Sequence, residues 1–197
     1  MRLDPLEVFT VFDGQVVEKG DLVASVKIAP HVVDASVIDA GARVADFGTQ
    51  PIVWVAPLEE RLVGVVVKES VRGTARERFE RSVRAKVEGL GSRIIDIVYV
   101  EDDPDAVETA LTRFIRGSEQ ADLILTAGTA STDPLDPAFV AIAALGGRVV
   151  RRGVPAHPGS MLWLARVGST SILGLPTCGA YSKATAADLL LPRLLTG

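Results

Sequence analysis

Three short glycine-bearing stretches in the last third of the chain carry residue types suited to holding an anion. They read Thr126-Ala127-Gly128-Thr129-Ala130-Ser131-Thr132-Asp133, then His157-Pro158-Gly159-Ser160, then Gly174-Leu175-Pro176-Thr177-Cys178-Gly179. The first follows the apolar run Leu123-Ile124-Leu125 and leads into a helical pattern opened by Asp136-Pro137. A strand, a small-residue loop and a helix start in succession make unpaired backbone N–H groups converge, which is how an anion cradle is built. Three such stretches at strand ends point to one shared pocket.

Within that pocket the backbone N–H groups of Gly128 to Ser131 and the hydroxyls of Thr129, Ser131 and Thr132 have the chemistry to hold a phosphate. Gly128 and Gly159 would let the main chain approach a ligand with no side chain between. Asp133 could accept hydrogen bonds from a ligand, or share a metal with phosphate oxygens; the alternative is that it only begins a turn before Pro134. Asp136, placed before Pro137, reads as a helix N-cap. His157 either lines the pocket or braces a turn, and Cys178, with no histidine near it, reads as a small residue in a tight loop rather than a nucleophile. The arginines 72, 76, 78, 81 and 84 are interleaved with Glu77 and Glu80, the pattern of a solvated helix face. Arg72-Gly73 directly follows a strand and could reach the same pocket, and Lys183 reads either as a second available charge or as an ordinary surface lysine.

The elements that must position these residues fall in two regimes. Residues 6–57 are rich in Val and Thr and broken by Asp13-Gly14, Lys19-Gly20, Pro30 and Pro51. Residues 7–12 and 22–28 read there as short strands, residues 31–44 leave helix and non-helix both open, and Ala56-Pro57-Leu58 reads as a linker. From Arg61 the pattern alternates. Strands are expected at 62–67, 94–100, 123–126, 148–154, 162–167 and 171–175, and helices at 74–90, from Asp103-Pro104 onward, 137–145 and 184–195. The run Leu62 to Val67 is apolar throughout, as in a strand covered on both faces. This order predicts a three-layer α/β/α domain with a mostly parallel sheet, residues 58–197, preceded by a small β-rich segment, residues 1–57. Ligands of such sheets sit outside the carboxyl ends of the strands, where the glycine stretches fall.

Bulk properties narrow the classes. The chain has 197 residues, 48% of them hydrophobic, enough for one good core. A formal charge of −4 disfavours nucleic acid. Charges or glycines interrupt every apolar run, so no bilayer span is expected, and no signal core follows Met1. One cysteine and two histidines fit a reducing cytoplasmic setting and argue against a Cys/His metal site, so no metal ligands are assigned.

Taken together and in order, the three stretches resemble the molybdopterin-binding domain shared by molybdenum cofactor biosynthesis proteins, over roughly Arg61 to Gly197. Ala127 to Asp133 is similar to that family's glycine-rich loop with its following carboxylate, His157 to Ser160 to its Pro-Gly-Lys turn, and Gly174-Leu175-Pro176 to its Gly-Leu-Pro-Gly-Asn-Pro loop. Residues 17–28, Ser182-Lys183 and the Leu-rich last helix resemble a bacterial branch with members fused to a nucleotidyltransferase-like domain. The resemblance implies binding of molybdopterin or a nucleotide derivative of it, in cofactor biosynthesis or transfer. The site it implies is Gly128, Thr129, Ala130, Ser131, Thr132, Asp133, His157, Pro158, Gly159, Ser160, Gly174, Leu175, Pro176 and Thr177, with Asp133 as the catalytic candidate. It also implies a dimer or trimer and other molybdenum cofactor proteins as partners. Ala127, Ala130, Ser160 and Thr177-Cys178-Gly179 depart from the family pattern. The alternatives are therefore an ATP- and Mg2+-dependent adenylyltransferase or molybdate-inserting enzyme, and a non-catalytic regulatory or scaffold domain.

Overall fold

The computed structural model describes residues 2–3, 6–46, 51–68, 74–129, 131–176 and 184–196. The chain divides into two compact units, Met1–Ala56 and Pro57–Gly197.

In the first unit β1 (Arg2–Leu3), β2 (Leu6–Thr10) and β3 (Ala24–Ile28) form an antiparallel sheet in that order. The helix left open in the sequence is present as α1 (Ala35–Asp46). The Asp34 carboxylate opens it by accepting from the Ser36 N–H at 2.8 Å. Gly41 faces Leu6 so closely that a Cβ there would lie 2.5 Å from a Leu6 methyl.

In the second unit the alternating pattern becomes β4 (Leu62–Val67), α2 (Thr74–Glu88), β5 (Arg93–Tyr99), α3 (Pro104–Arg116), β6 (Leu123–Ala127), α4 (Pro137–Ala144), β7 (Arg148–Arg152), β8 (Trp163–Val167), β9 (Thr170–Leu175) and α5 (Ala186–Leu195). The six strands lie in the order β5-β4-β6-β9-β8-β7. The first four are mutually parallel, while β8 runs antiparallel to both neighbours. Every residue of β4 from Val63 to Val67 is buried, as its unbroken apolar run requires.

Alternation along the strands divides the core in two. Val63, Val65, Val67, Leu123, Leu125, Leu173 and Leu175 meet Phe79, Val83 and Val87 of α2 and Ala187, Leu191 and Leu195 of α5 on one face. Val66, Ile124, Trp163, Ala165 and Ile172 meet Val107, Leu111 and Phe114 of α3 and Ala138, Phe139 and Ile142 of α4 on the other. The result is the three-layer α/β/α arrangement that the sequence pattern predicts. Two glycines are explained by packing on the second face. A Cβ on Gly64 would lie 2.6 Å from the Phe114 ring, and one on Gly174 would overlap the Trp163 indole. The helix starts follow the expected chemistry. Asp103 caps α3 through Ala106 N–H at 3.0 Å, Asp136 caps α4 through Ala138 N–H at 2.9 Å, and Thr185 with Asp188 forms a capping box on α5.

Candidate functional site

Register places the ends of several strands on one rim. Val67 of β4 pairs with Ala127 of β6, which pairs with Leu175 of β9, and the Lys68 N–H extends the ladder to the Ala127 carbonyl at 2.9 Å. Gly128 and Pro176 therefore leave the sheet side by side. Arg152 of β7 pairs with Trp163 of β8, and Trp163 with Gly174 of β9, so the connection 153–162 emerges at this same carboxyl edge.

The first stretch turns away from β6 at Gly128, whose φ of 86° favours glycine. Beyond it, Ser131 is half-buried while Thr132 and Asp133 are exposed. The Asp133 carboxylate accepts from the Leu135 N–H at 2.8 Å, closing a local turn, and its carbonyl accepts from the Asp136 N–H at 3.3 Å. Two hydroxyls here are orphaned. Thr126 Oγ1 and Thr129 Oγ1 are both buried and have no hydrogen-bond partner among the described residues.

The second stretch contains a cis bond between His157 and Pro158. The Pro158 carbonyl accepts from Ala186 N–H at 2.8 Å, so this turn is pinned to the start of α5. Gly159 is buried with a φ of 110°, and a Cβ there would sit 2.9 Å from both the Ala186 Cβ and its nitrogen. His157 is exposed and Ser160 half-buried. In the third stretch Gly174 and Leu175 are strand residues of β9: the glycine makes room for Trp163 and Leu175 is 2% exposed in the core. Pro176 is the first residue beyond the strand. Ala130, Thr177, Cys178, Lys183 and Arg72-Gly73 lie outside the described residues.

Sequence reasoning missed a buried cation at this edge. Lys68 directly follows β4 with its side chain 6% exposed, and its ammonium lies 2.6 Å from Asp136 Oδ2 and 2.7 Å from Asp102 Oδ1. Asp136, read as an N-cap, is that and also the partner of Lys68, with its side chain 2% exposed. Burial pushes the Lys68 ammonium down, but its bonds to Asp102 and Asp136 outweigh this and hold it above the ordinary lysine range. The available signal was a single lysine closing the run Val65-Val66-Val67.

A second polar group flanks the end of β5. Arg76 of α2 lies 4.1 Å over the Tyr99 ring while its Nε donates to Glu80 at 2.8 Å, and the Tyr99 hydroxyl donates to the same Glu80 oxygen at 3.1 Å. Burial first, then the Glu80 carboxylate, pushes the phenol up to about 12. Among the described residues, no group of three or more His, Cys, Asp or Glu side chains is placed to hold a metal ion, and no helix is long and apolar enough to cross a membrane.

A parallel-centred sheet with capped helix starts and glycine turns gathered at its carboxyl edge defines an α/β/α domain of the class whose ligands sit at that edge. Residues 62–196 match the family model described as a probable molybdopterin binding domain, and the chain belongs to that family, which acts in molybdenum cofactor biosynthesis. Among solved structures it is similar to the molybdopterin biosynthesis MoeA protein from Pyrococcus horikosii, with a TM-score of 0.51, 18% identity, and coverage of 69% of this chain and 35% of that one. It is also similar to a molybdenum cofactor biosynthesis protein B, with a TM-score of 0.50, 15% identity, and coverage of 72% and 96%. The chain thus spans about a third of the length of the MoeA protein. At these identities the likeness concerns the fold. No curated protein matches the chain.

Proposed function

We propose that the second unit binds molybdopterin or a nucleotide derivative of it at the carboxyl edge of its sheet, in the synthesis or transfer of the cofactor. The observation that carries this reading is the pair of buried hydroxyls without partners, Thr126 and Thr129, flanking the left-handed Gly128. An unsatisfied buried polar group costs about 1–3 kcal/mol. Two of them beside the turn at Gly128 fit a site built to be completed by an oxyanion.

The phosphate of the pterin would lie against Gly128, Thr129, Ser131 and Thr132. Asp133 would accept from the amino and ring N–H groups of the pterin. The turn from His157 to Ser160, with Pro176, would form the facing wall. Gly174 and Leu175 would support this wall through packing, the first against Trp163 and the second within the core.

The test is Thr126→Val, which keeps the shape and removes the hydroxyl. Its melting temperature should equal or exceed that of the unmodified protein, because an orphaned group is lost. Molybdopterin affinity, followed by pterin fluorescence, should fall by about ten-fold, the worth of a hydrogen bond to a charged group. An unchanged affinity would remove the Thr126 hydroxyl from the site, and no saturable pterin binding by the unmodified protein would end the reading.

A further inference from the structure

We infer that the Lys68 ammonium is an anion-binding group of this edge and that the Asp102 carboxylate occupies the place an anionic ligand group would take. The inference rests on the reading above that the edge accepts an oxyanion, and adds the cation that meets it and the internal group that competes with it.

The two carboxylates on Lys68 are unequal. Asp136 is buried, its Oδ2 on the ammonium at 2.6 Å and its Oδ1 on the Ala138 N–H at 2.9 Å, so it is fixed at the start of α4. Asp102 lies in the turn between β5 and α3 with its side chain 68% exposed, and reaches the ammonium at 2.7 Å. An exposed carboxylate loses little by moving into water, whereas a buried one loses a great deal. Exchange at Lys68 is therefore possible on the Asp102 side alone, and it swaps one anionic oxygen for another on the ammonium.

Position supports the same conclusion. Lys68 follows Val67, the register partner of Ala127, so its backbone stands beside the strand end from which Gly128 departs. Val66 and its register partner Thr126 point to the α3/α4 face by strand alternation, and Asp102 and Asp136 precede the two helices of that face. The Lys68 ammonium and the orphaned Thr126 hydroxyl thus belong to one side of one rim. The ligand chemistry is a phosphate oxyanion, either esterified to a pterin or free.

The test compares the full chain with Asp102→Asn and with Lys68→Met, using inorganic phosphate in thermal melts at matched ionic strength and molybdopterin in fluorescence titrations. Asp102→Asn should bind phosphate about two- to five-fold more tightly than the unmodified protein, because a weak competitor is gone. Lys68→Met should bind it at least about ten-fold more weakly. Lys68→Met/Asp136→Asn, which leaves no stranded carboxylate, repeats the second measurement in a relaxed core. A purely structural Asp102 would lower the melting temperature slightly and leave phosphate binding unchanged. Equal or weaker binding of both probes by Asp102→Asn, or no binding of either, overturns the inference. Phosphate binding that follows the expected order without molybdopterin binding would sink the pterin reading and leave this one standing. Molybdopterin binding indifferent to Asp102 would do the reverse.

Discussion

Replacing Lys68 by Met should be among the most damaging single substitutions in the second unit, and its cost can be worked from burial. The ammonium and the Asp136 carboxylate are 6% and 2% exposed. Removing the lysine takes from the buried Asp136 carboxylate the ammonium on its Oδ2, at about 3–5 kcal/mol. The Asp102 leg, 68% exposed on the acidic side, adds at most about 1 kcal/mol. The bond from Ala138 N–H to Asp136 Oδ1 does not involve the lysine and stays. The sum is a large share of the roughly 5–15 kcal/mol that holds a domain folded, and corresponds to a loss of roughly 10–15 °C in Tm. Urea unfolding followed by circular dichroism measures it. Asp102→Asn should lose under about 1 kcal/mol, and Lys68→Met/Asp136→Asn should recover a good part of the single-variant loss. The pH dependence has a definite sign. The native ammonium holds its proton more tightly than an ordinary lysine, so its contribution is complete below the ordinary lysine value and is lost as pH rises through the raised one. Lys68→Met should lack that alkaline component. A loss no greater than that of Asp102→Asn would refute the assignment of Lys68 and Asp136 as a buried pair.

Two further perturbations probe other parts of the unit. Gly174→Ala drives a methyl into the Trp163 indole; it should cost about 1–3 kcal/mol as overpacking and change the emission of Trp163, and unchanged stability and fluorescence would contradict the packing described. Tyr99, with its phenol raised to about 12, contributes stability that is complete below the ordinary tyrosine value near 10 and falls as pH climbs toward about 12. Tyr99→Phe should flatten that part of the stability–pH curve, and an identical curve in the two proteins would show that the Glu80–Tyr99 bond does not persist in solution.

Much of the second unit was legible because its signals are local. Val63 to Val67 is an unbroken apolar strand, Phe79, Val83 and Val87 recur at helical spacing, and Asp103-Pro104 and Asp136-Pro137 announce helix starts. Strand order was not legible, because β9 pairs with β6 across more than forty residues and nothing in either strand names its neighbour. The reversal of β8 had a readable cue in Gly168-Ser169, the two residues between the paired Val167 and Thr170, with Gly168 at a φ of 58°. At the site, the glycine at 128 and the turn at 159 answer to local backbone chemistry and could be read. The pairing of Lys68 with Asp136 could not, since 68 positions separate the partners and each alone has an ordinary explanation, a lysine after a strand and an aspartate before a helix. In Gly174 a motif position proved to serve packing, because a missing side chain looks the same in sequence whether it admits a ligand or an indole.

The insertion of β9 between β6 and β8 has a consequence for how the chain matures on the ribosome. Until Thr170 to Leu175 has emerged, the hairpin partner of β8 does not exist and β6 offers an open edge of unpaired backbone N–H and C=O groups to any passing polypeptide. Newly made molecules pass through this sticky interval before β9 is made, and premature stops before position 170 should yield clumped rather than merely shortened products.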